Sequence, residues 1–283
     1  YWGLPEGREL PDPGAKASKP NVPLDKIGSL ESLGPAAPLV QEQLDRVLGW
    51  DYPYLAATGQ PAKLSVTELK RRLVEQDEEA RKLLVSSSIT ARPRFIQETQ
   101  GLTGAELGTA MHLVMQHLDL QKVSSKEVIM QQIEQMVEQE FLTPEQAQAV
   151  GWKQFLTFFQ SPLGQRLIQA APGQVRREVP FTLSLPAQDI YQDFPAGEGQ
   201  ERVVIQGIID CLLIEEDGIV VIDYKTDRIR KEDLPGAAAG YRHQLELYGR
   251  AVAEIYGLPA KEKYLYFFRL GEYLLISEPL IQY

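Results

Sequence analysis

Residues 219–226, Ile-Val-Val-Ile-Asp-Tyr-Lys-Thr, constrain the fold of this 283-residue chain more than any other stretch. Four consecutive β-branched apolar residues favour a strand buried on both faces. Ending such a strand in acid-x-lysine is costly unless the two charges serve or pair with something. Residues i and i+2 of a strand share a face, so Asp223 and Lys225 point the same way as Ile219 and Val221. Taken alone, the pair reads equally well as a strand-end salt bridge.

The preceding apolar run, Gly207 to Ile214, is interrupted by Asp210, and Glu215-Glu216-Asp217-Gly218 behind it has the makings of a tight hairpin turn. With Glu216 and Asp217 as the loop, Asp210 faces Asp223; with Asp217 and Gly218, it faces Lys225. Either register puts Asp210, Asp223 and Lys225 on one surface; an odd-length loop would not. Two converging carboxylates repel, and a divalent cation is the usual reason to tolerate them.

A third candidate ligand is His112, in Gly108-Thr109-Ala110-Met111-His112. Helical steps back from it meet Thr109, Gly108 and Ala105, a small-residue face that permits close approach. Leu107, Met111, Val114 and Leu118 form an ordinary core stripe on the same helix, so a bland reading also exists. Imidazole suits Mn²⁺ and is acceptable to Mg²⁺ in a mixed site. Gln244 and Tyr248, four apart on a helix expected over Ala237–Tyr256, share a face and could bond phosphate oxygens. Arg228 and Arg230, just past the strand, are possible phosphate contacts, as with lower weight are Lys70-Arg71-Arg72 and Arg92-Pro93-Arg94. Glu178 reads as an edge-strand charge outside the site, and His117 and His243 as solvated.

Nine of the 19 prolines fall within residues 1–61, so residues 1–60 are expected to be a Pro-rich linker and peripheral segment, with a short helix over Leu39–Trp50. A helical part over 61–172 and a sheet core over 173–283 follow. Helices are predicted from Ser65-x-x-Glu68 to about Leu84, from Thr103-x-x-Glu106 to about Leu118, from Ser124 to about Phe141, from Thr143-Pro144, and from Ser161-Pro162. Strands are predicted over Val175–Leu185, Arg202–Ile214, Ile219–Lys225, Tyr264–Arg269 and Tyr273–Leu280. Helices followed by a sheet with one inserted helix mean a mixed α/β or α+β fold.

The single cysteine, Cys211, excludes a disulfide framework and a cysteine-ligated iron–sulfur cluster. No Gly-x-x-x-x-Gly-Lys phosphate loop occurs, so no ATP site is expected in this stretch. No apolar run approaches ~18 residues, so no membrane partner is expected. A chain opening on Tyr1 is expected to be part of something longer. Its formal charge of −10 argues against a generally basic nucleic-acid coat but not against a local basic track.

In order along the chain, Gly108-x-x-x-His112, Gly207-x-x-Asp210, Asp223-Tyr224-Lys225-Thr226 and Gln244-x-x-x-Tyr248 resemble the motifs of the RecB-type nucleases of the PD-(D/E)XK superfamily. Leu48-Gly49-Trp50-x-Tyr52 and Ser65-Val66-Thr67-Glu68-Leu69-Lys70-Arg71 narrow the resemblance to the C-terminal nuclease domains of bacterial AddAB-type helicase–nucleases, over roughly residues 40–283. The resemblance implies a restriction-endonuclease-like core in residues 61–283: a mixed sheet flanked by helices, with a helical N-terminal region. It implies metal-dependent DNA cleavage in double-strand-break processing, in the cytoplasm. The partners it implies are helicase domains of the same parent chain and a second nuclease subunit of the AddB type. It assigns His112, Asp210, Asp223 and the Tyr224 backbone carbonyl to Mg²⁺ or Mn²⁺, Lys225 to the attacking water and phosphate, and Gln244 and Tyr248 to support and strand contact. Some relatives add four cysteines for an iron–sulfur cluster; this chain lacks them. An inactive scaffold would be marked by a missing ligand, and none of the motif residues is missing.

Overall fold

Strand β3, Arg202–Glu215, organises the sheet. In the computed structural model, which describes residues 38–49, 58–76, 102–191, 194 and 201–276, β3 has β2 (Val175–Pro186) antiparallel along one edge from Arg202 to Leu213, interrupted at Asp210. Its other edge is shared. At one end β1 (Lys63–Ser65) pairs in parallel with Val204–Gln206; at the other, β4 (Gly218–Lys225) pairs antiparallel with Cys211–Glu215. Beyond β4 come β5 (Ala260–Phe267), parallel, and β6 (Glu272–Leu275), antiparallel, giving a mixed six-stranded sheet. The hairpin loop is Glu216-Asp217, and the pairing runs from Glu215–Gly218 to Cys211–Ile222, stopping one pair short of the expected facing of Asp210 and Asp223.

Between the segments held by β1 and β4, residues 207–210 of β3 have no strand on that edge among the described residues. Here the sheet opens. On each side of it lies a hydrophobic layer. One holds Phe181, Leu183, Ile205, Val221 and the helix Arg242–Tyr256 through Leu245, Tyr248 and Ala251. The other holds Val220, Ile222 and Tyr224 against the helices Gly104–His117, Lys126–Glu138, Trp152–Gln160 and Pro162–Gln169.

The helix starts follow side-chain capping. Thr103 and Glu106 form a reciprocal box, as do Thr143 and Gln146 with Pro144 in the first turn. Ser65 and Glu68 do the same for the helix Val66–Gln76. Residues 77–101, including the expected run to Leu84 and Arg92-Pro93-Arg94, lie outside the described residues, as do residues 277–283. The helix Pro38–Leu48 falls in a unit of its own, residues 1–53; Trp50 and Tyr52 are not described.

Two expectations need correction. The third helix begins one residue later than Ser124: Ser125 is the cap, its hydroxyl accepting from the Val128 amide, and the helix spans Lys126–Glu138. The single helix over Ala237–Tyr256 is two, Leu234–Ala239 and Arg242–Tyr256, broken at Gly240 and Tyr241. Pro235 starts the first in the position where a missing N–H is harmless.

Candidate active site

The opening between β3 and β4 is occupied by the Asp210 carboxylate. Past the Cys211–Ile222 pair the two strands diverge, and Asp210 Oδ2 accepts a 2.6 Å hydrogen bond from the Tyr224 amide. A side-chain oxygen thus replaces the strand carbonyl that the amide would otherwise lack.

The other Asp210 oxygen lies 3.5 Å from His112 Nδ1, and Glu178 Oε1 lies 3.7 Å from the same nitrogen. His112 stands on the helix Gly104–His117, whose Ala110, Met111, Val114 and Met115 are buried against the sheet. Gly108 allows the approach: a Cβ there would come within 2.9 Å of Thr226 Oγ1. Arg177 on β2 fixes the far end by donating to the carbonyls of Met115 and Leu118 at 2.8 and 2.6 Å.

Ligand-capable atoms of His112, Glu178 and Asp210 all lie within 4.8 Å of one another. At such a separation two carboxylates repel by roughly 3–4 kcal/mol at an effective dielectric of about 20. Burial works against charge on His112, but its contacts with Asp210 and Glu178 outweigh that and raise its pKa to about 10. Without a cation, a proton balances the cluster.

Glu178, left outside the site on sequence grounds, is therefore inside it. Its neighbours Arg177 and Val179 pair with Cys211 and Ile209, so Glu178 comes opposite Asp210. Its backbone is left-handed, φ 49°, which is unfavourable for a side chain with a Cβ. The alternation of both strands slips here. Ile205 and Ile209 of β3 face one layer, whereas Cys211 and Leu213 face the other; on β2, Phe181 and Val179 face the first layer and Val175 the second. The slip re-aims two acids into the opening, as irregularities beside sites commonly do.

Asp223, 1% exposed, sits on the opposite layer's side of the same opening. Lys225 Nζ is 2.5 Å from its Oδ2. Gln244 completes the set: its amide nitrogen donates to Asp223 Oδ1 at 3.0 Å and to the Tyr248 hydroxyl at 2.8 Å, while Lys225 donates to its oxygen at 3.4 Å. Burial pushes the Asp223 carboxyl above the usual range, against the pull of Lys225, and it also feels Asp210 and His112. Although Lys225 lies beside it, Asp223 Oδ2 has no well-directed hydrogen bond and is shut off from solvent. Asp223 stands apart from the His112–Glu178–Asp210 cluster, but a buried, incompletely satisfied carboxylate oxygen that feels Asp210 and His112 suits a hard or borderline divalent cation.

The structure thus brings together two groups, His112–Glu178–Asp210 and Asp223–Lys225–Gln244–Tyr248, with the Tyr224 backbone between them. Arg228 and Arg230 are exposed on the loop that follows. Glu178 could have been found only from the pairing of β2 with β3, not from its sequence neighbours.

Comparison with known proteins places the chain in a family. The model of the PD-(D/E)XK nuclease superfamily matches residues 84–279. Proteins named as ATP-dependent helicase/nuclease subunits, of the A type, are similar over most of the chain. That of Moorella thermoacetica is 42% identical over 269 residues, covering 92% of this chain and 19% of its own length. The Pelotomaculum thermopropionicum protein is 45% identical over 262 residues, 91% and 20% respectively. That of Bacillus cereus strain B4264 is 43% identical over 255 residues, 86% and 20%. The chain spans about a fifth of the length of these relatives.

Proposed function

The chain belongs to the PD-(D/E)XK nuclease superfamily, and on that premise we propose that it is a divalent-metal-dependent DNA nuclease. Its substrate is single-stranded DNA, cut exonucleolytically as helicase domains of the parent chain unwind a broken end for recombinational repair. The work is cytoplasmic and shared with a second, AddB-type subunit. The names of the relatives support the helicase–nuclease setting. No helix among the described residues is long and apolar enough to cross a membrane.

The observation that carries the reading is the convergence of His112, Glu178 and Asp210 beside the buried Asp223–Lys225 pair. His112, Asp210, Asp223 and the Tyr224 carbonyl, with Glu178 added, would hold Mg²⁺ or Mn²⁺. When bound, such an ion supplies a polarised phosphate oxygen and a water acidified toward neutrality. The chain's own residues do the rest. Lys225 would place an ammonium where the attacking water and the developing phosphate charge meet, and Asp223 pairs with that ammonium at 2.5 Å. Gln244, with both amide hydrogens and its oxygen engaged, fixes the orientation of the pair, and Tyr248 braces Gln244. Arg228 and Arg230, exposed on the loop after β4, would contact backbone phosphates.

The test is cleavage of an end-labelled oligonucleotide by the chain in Mn²⁺. Chelator should abolish it, and Asp223→Ala and Lys225→Ala should each lower the rate by at least ~10²-fold. Mn²⁺ binding in the calorimeter should vanish with Asp210→Asn. Cleavage that persists in chelator, in preparations free of contaminating nuclease, would overturn the reading.

A further inference from the structure

The helix Val66–Gln76 brings to this site a lysine that the reaction above does not use. Lys70 is half-buried, and its Nζ lies 3.5 Å from the centroid of the Tyr241 ring. Lys225 Nζ lies 4.1 Å from the same centroid. The ring is held at its other end, where the phenol donates a 2.6 Å hydrogen bond to Asp227. Tyr241 immediately precedes the helix that carries Gln244. One aromatic platform therefore spaces two ammonium groups, and only one of them, Lys225, has a carboxylate partner. Among the described residues no carboxylate forms an ion pair with Lys70; its contact is the ring face, the electron-rich side that attracts a cation.

Placing a second cation here opposes ordinary electrostatics. Burial, and then the neighbouring charge of Lys225, lower the Lys70 pKa to about 8, with Asp223 and Asp227 offsetting part of the effect. Asp223 and Asp227 lie near enough to act on Lys70, yet among the described residues neither forms an ion pair with it, and the loop that passes Tyr241 at Asp227 carries Arg228 next in sequence, exposed. A ligand with anionic groups at regular intervals, a nucleic-acid backbone, would pair with this second ammonium directly.

We propose that Lys70 binds the backbone phosphate adjacent to the scissile one, with Tyr241 setting the distance between that phosphate and the one addressed by Lys225. This rests on the nuclease reading and deepens it: the site grips two consecutive phosphates of one strand. Lys70 is a substrate-binding residue that takes no part in bond making or breaking, and its contribution carries no base preference.

The test uses the chain with a fluorescent oligothymidylate in Ca²⁺, followed by anisotropy between 50 and 200 mM salt. One phosphate contact on a single strand contributes about 0.7 to the slope of log K against log salt. Lys70→Ala should weaken binding several-fold and lower the slope by about that amount, and Lys70→Arg should keep the slope. In Mn²⁺, Lys70→Ala should raise KM more than it lowers kcat. A methylphosphonate placed next to the scissile linkage should harm the wild-type chain more than the Lys70→Ala variant. Lys70→Met, which keeps the stem over the ring, guards against loss of fold and should behave as the alanine variant does. Unchanged affinity and slope in both neutral variants would overturn the proposal, as would a loss confined to kcat. Anisotropy needs no turnover, so a wild-type chain that binds DNA but never cuts it would sink the nuclease reading while still judging Lys70.

Discussion

Glu178 shows what the site demands of a single residue. Its left-handed backbone, φ 49°, costs on the order of 1–2 kcal/mol in a non-glycine residue, and its carboxylate faces that of Asp210. Backbone strain and like charge in one residue persist where the surroundings impose them, and such places cluster at functional sites. Glu178→Gln should therefore leave the fold intact by circular dichroism but weaken Mn²⁺ binding by at least ~10-fold in calorimetry; unchanged affinity would place Glu178 outside the ligand set. His112 stood out as the long polar group on a small-residue helix face, and the nearness of Asp210 to the Asp223–Lys225 strand was legible because a two-residue turn and strand alternation are local rules. Glu178 was not. Its role depends on β2 lying against β3 in one register and on a slip in alternation, and neither is written in Arg176-Arg177-Glu178-Val179-Pro180.

Among the elements, the hairpin of β3 and β4 is pinned at the end remote from the site. Arg166, on the helix Pro162–Gln169, reaches Glu215 at 2.7 Å and Glu262 at 2.6 Å, and Lys261 joins Glu215 at 2.5 Å. With that end fixed, β3 and β4 are free to part at the other, where Asp210 enters. Arg166 first, and Lys261 after it, hold the Glu215 carboxyl down at about 2 against a usual 4.5. A depressed acid contributes stability that is present above its unfolded value and lost as pH falls toward its folded one. Urea midpoints should thus decline between about pH 4.5 and pH 2. In Arg166→Met that decline should be shallower, with stability at pH 7 lower by about 2 kcal/mol from the lost charged hydrogen bonds. Parallel acid branches in the two proteins would refute this. Element starts were readable where Ser or Thr stood three residues before Glu or Gln. At Ser124-Ser125 two candidate caps adjoin, and the sequence spacing to Glu127 favours the one that the fold does not use. Strand β1 escaped notice because three residues cannot display a period; only its parallel partner on β3 makes it a strand.

For the whole molecule, the sheet separates two apolar layers, and the site lies where the sheet opens between them. His112 arrives from one layer and Gln244 from the other, so the packing of each layer sets the separation of the two halves of the site. On the His112 side a chain of rings joins the core to the imidazole: Phe158 meets Tyr224 at 5.6 Å between centroids, and Tyr224 meets His112 at 6.1 Å. Phe158 is held from behind by the elbow between the helices Trp152–Gln160 and Pro162–Gln169. There a Cβ on Gly164 would stand 2.1 Å from the Phe158 carbonyl oxygen and 2.6 Å from the Phe159 Cα. The obstacle is backbone, so a side chain cannot swing aside to relieve it. Gly164→Ala should open the elbow, shift Phe158 and cost about 1–3 kcal/mol, a fall in melting temperature of about 2–4 °C per kcal/mol for a domain of this size. Because the ring chain ends at His112, Mn²⁺ affinity should fall together with stability, whereas Arg166→Met, at the far end of the sheet, should lower stability with little change in Mn²⁺ affinity. Equal Mn²⁺ affinities for Gly164→Ala and the unaltered chain would mean that the aromatic layer supports the sheet without positioning the imidazole.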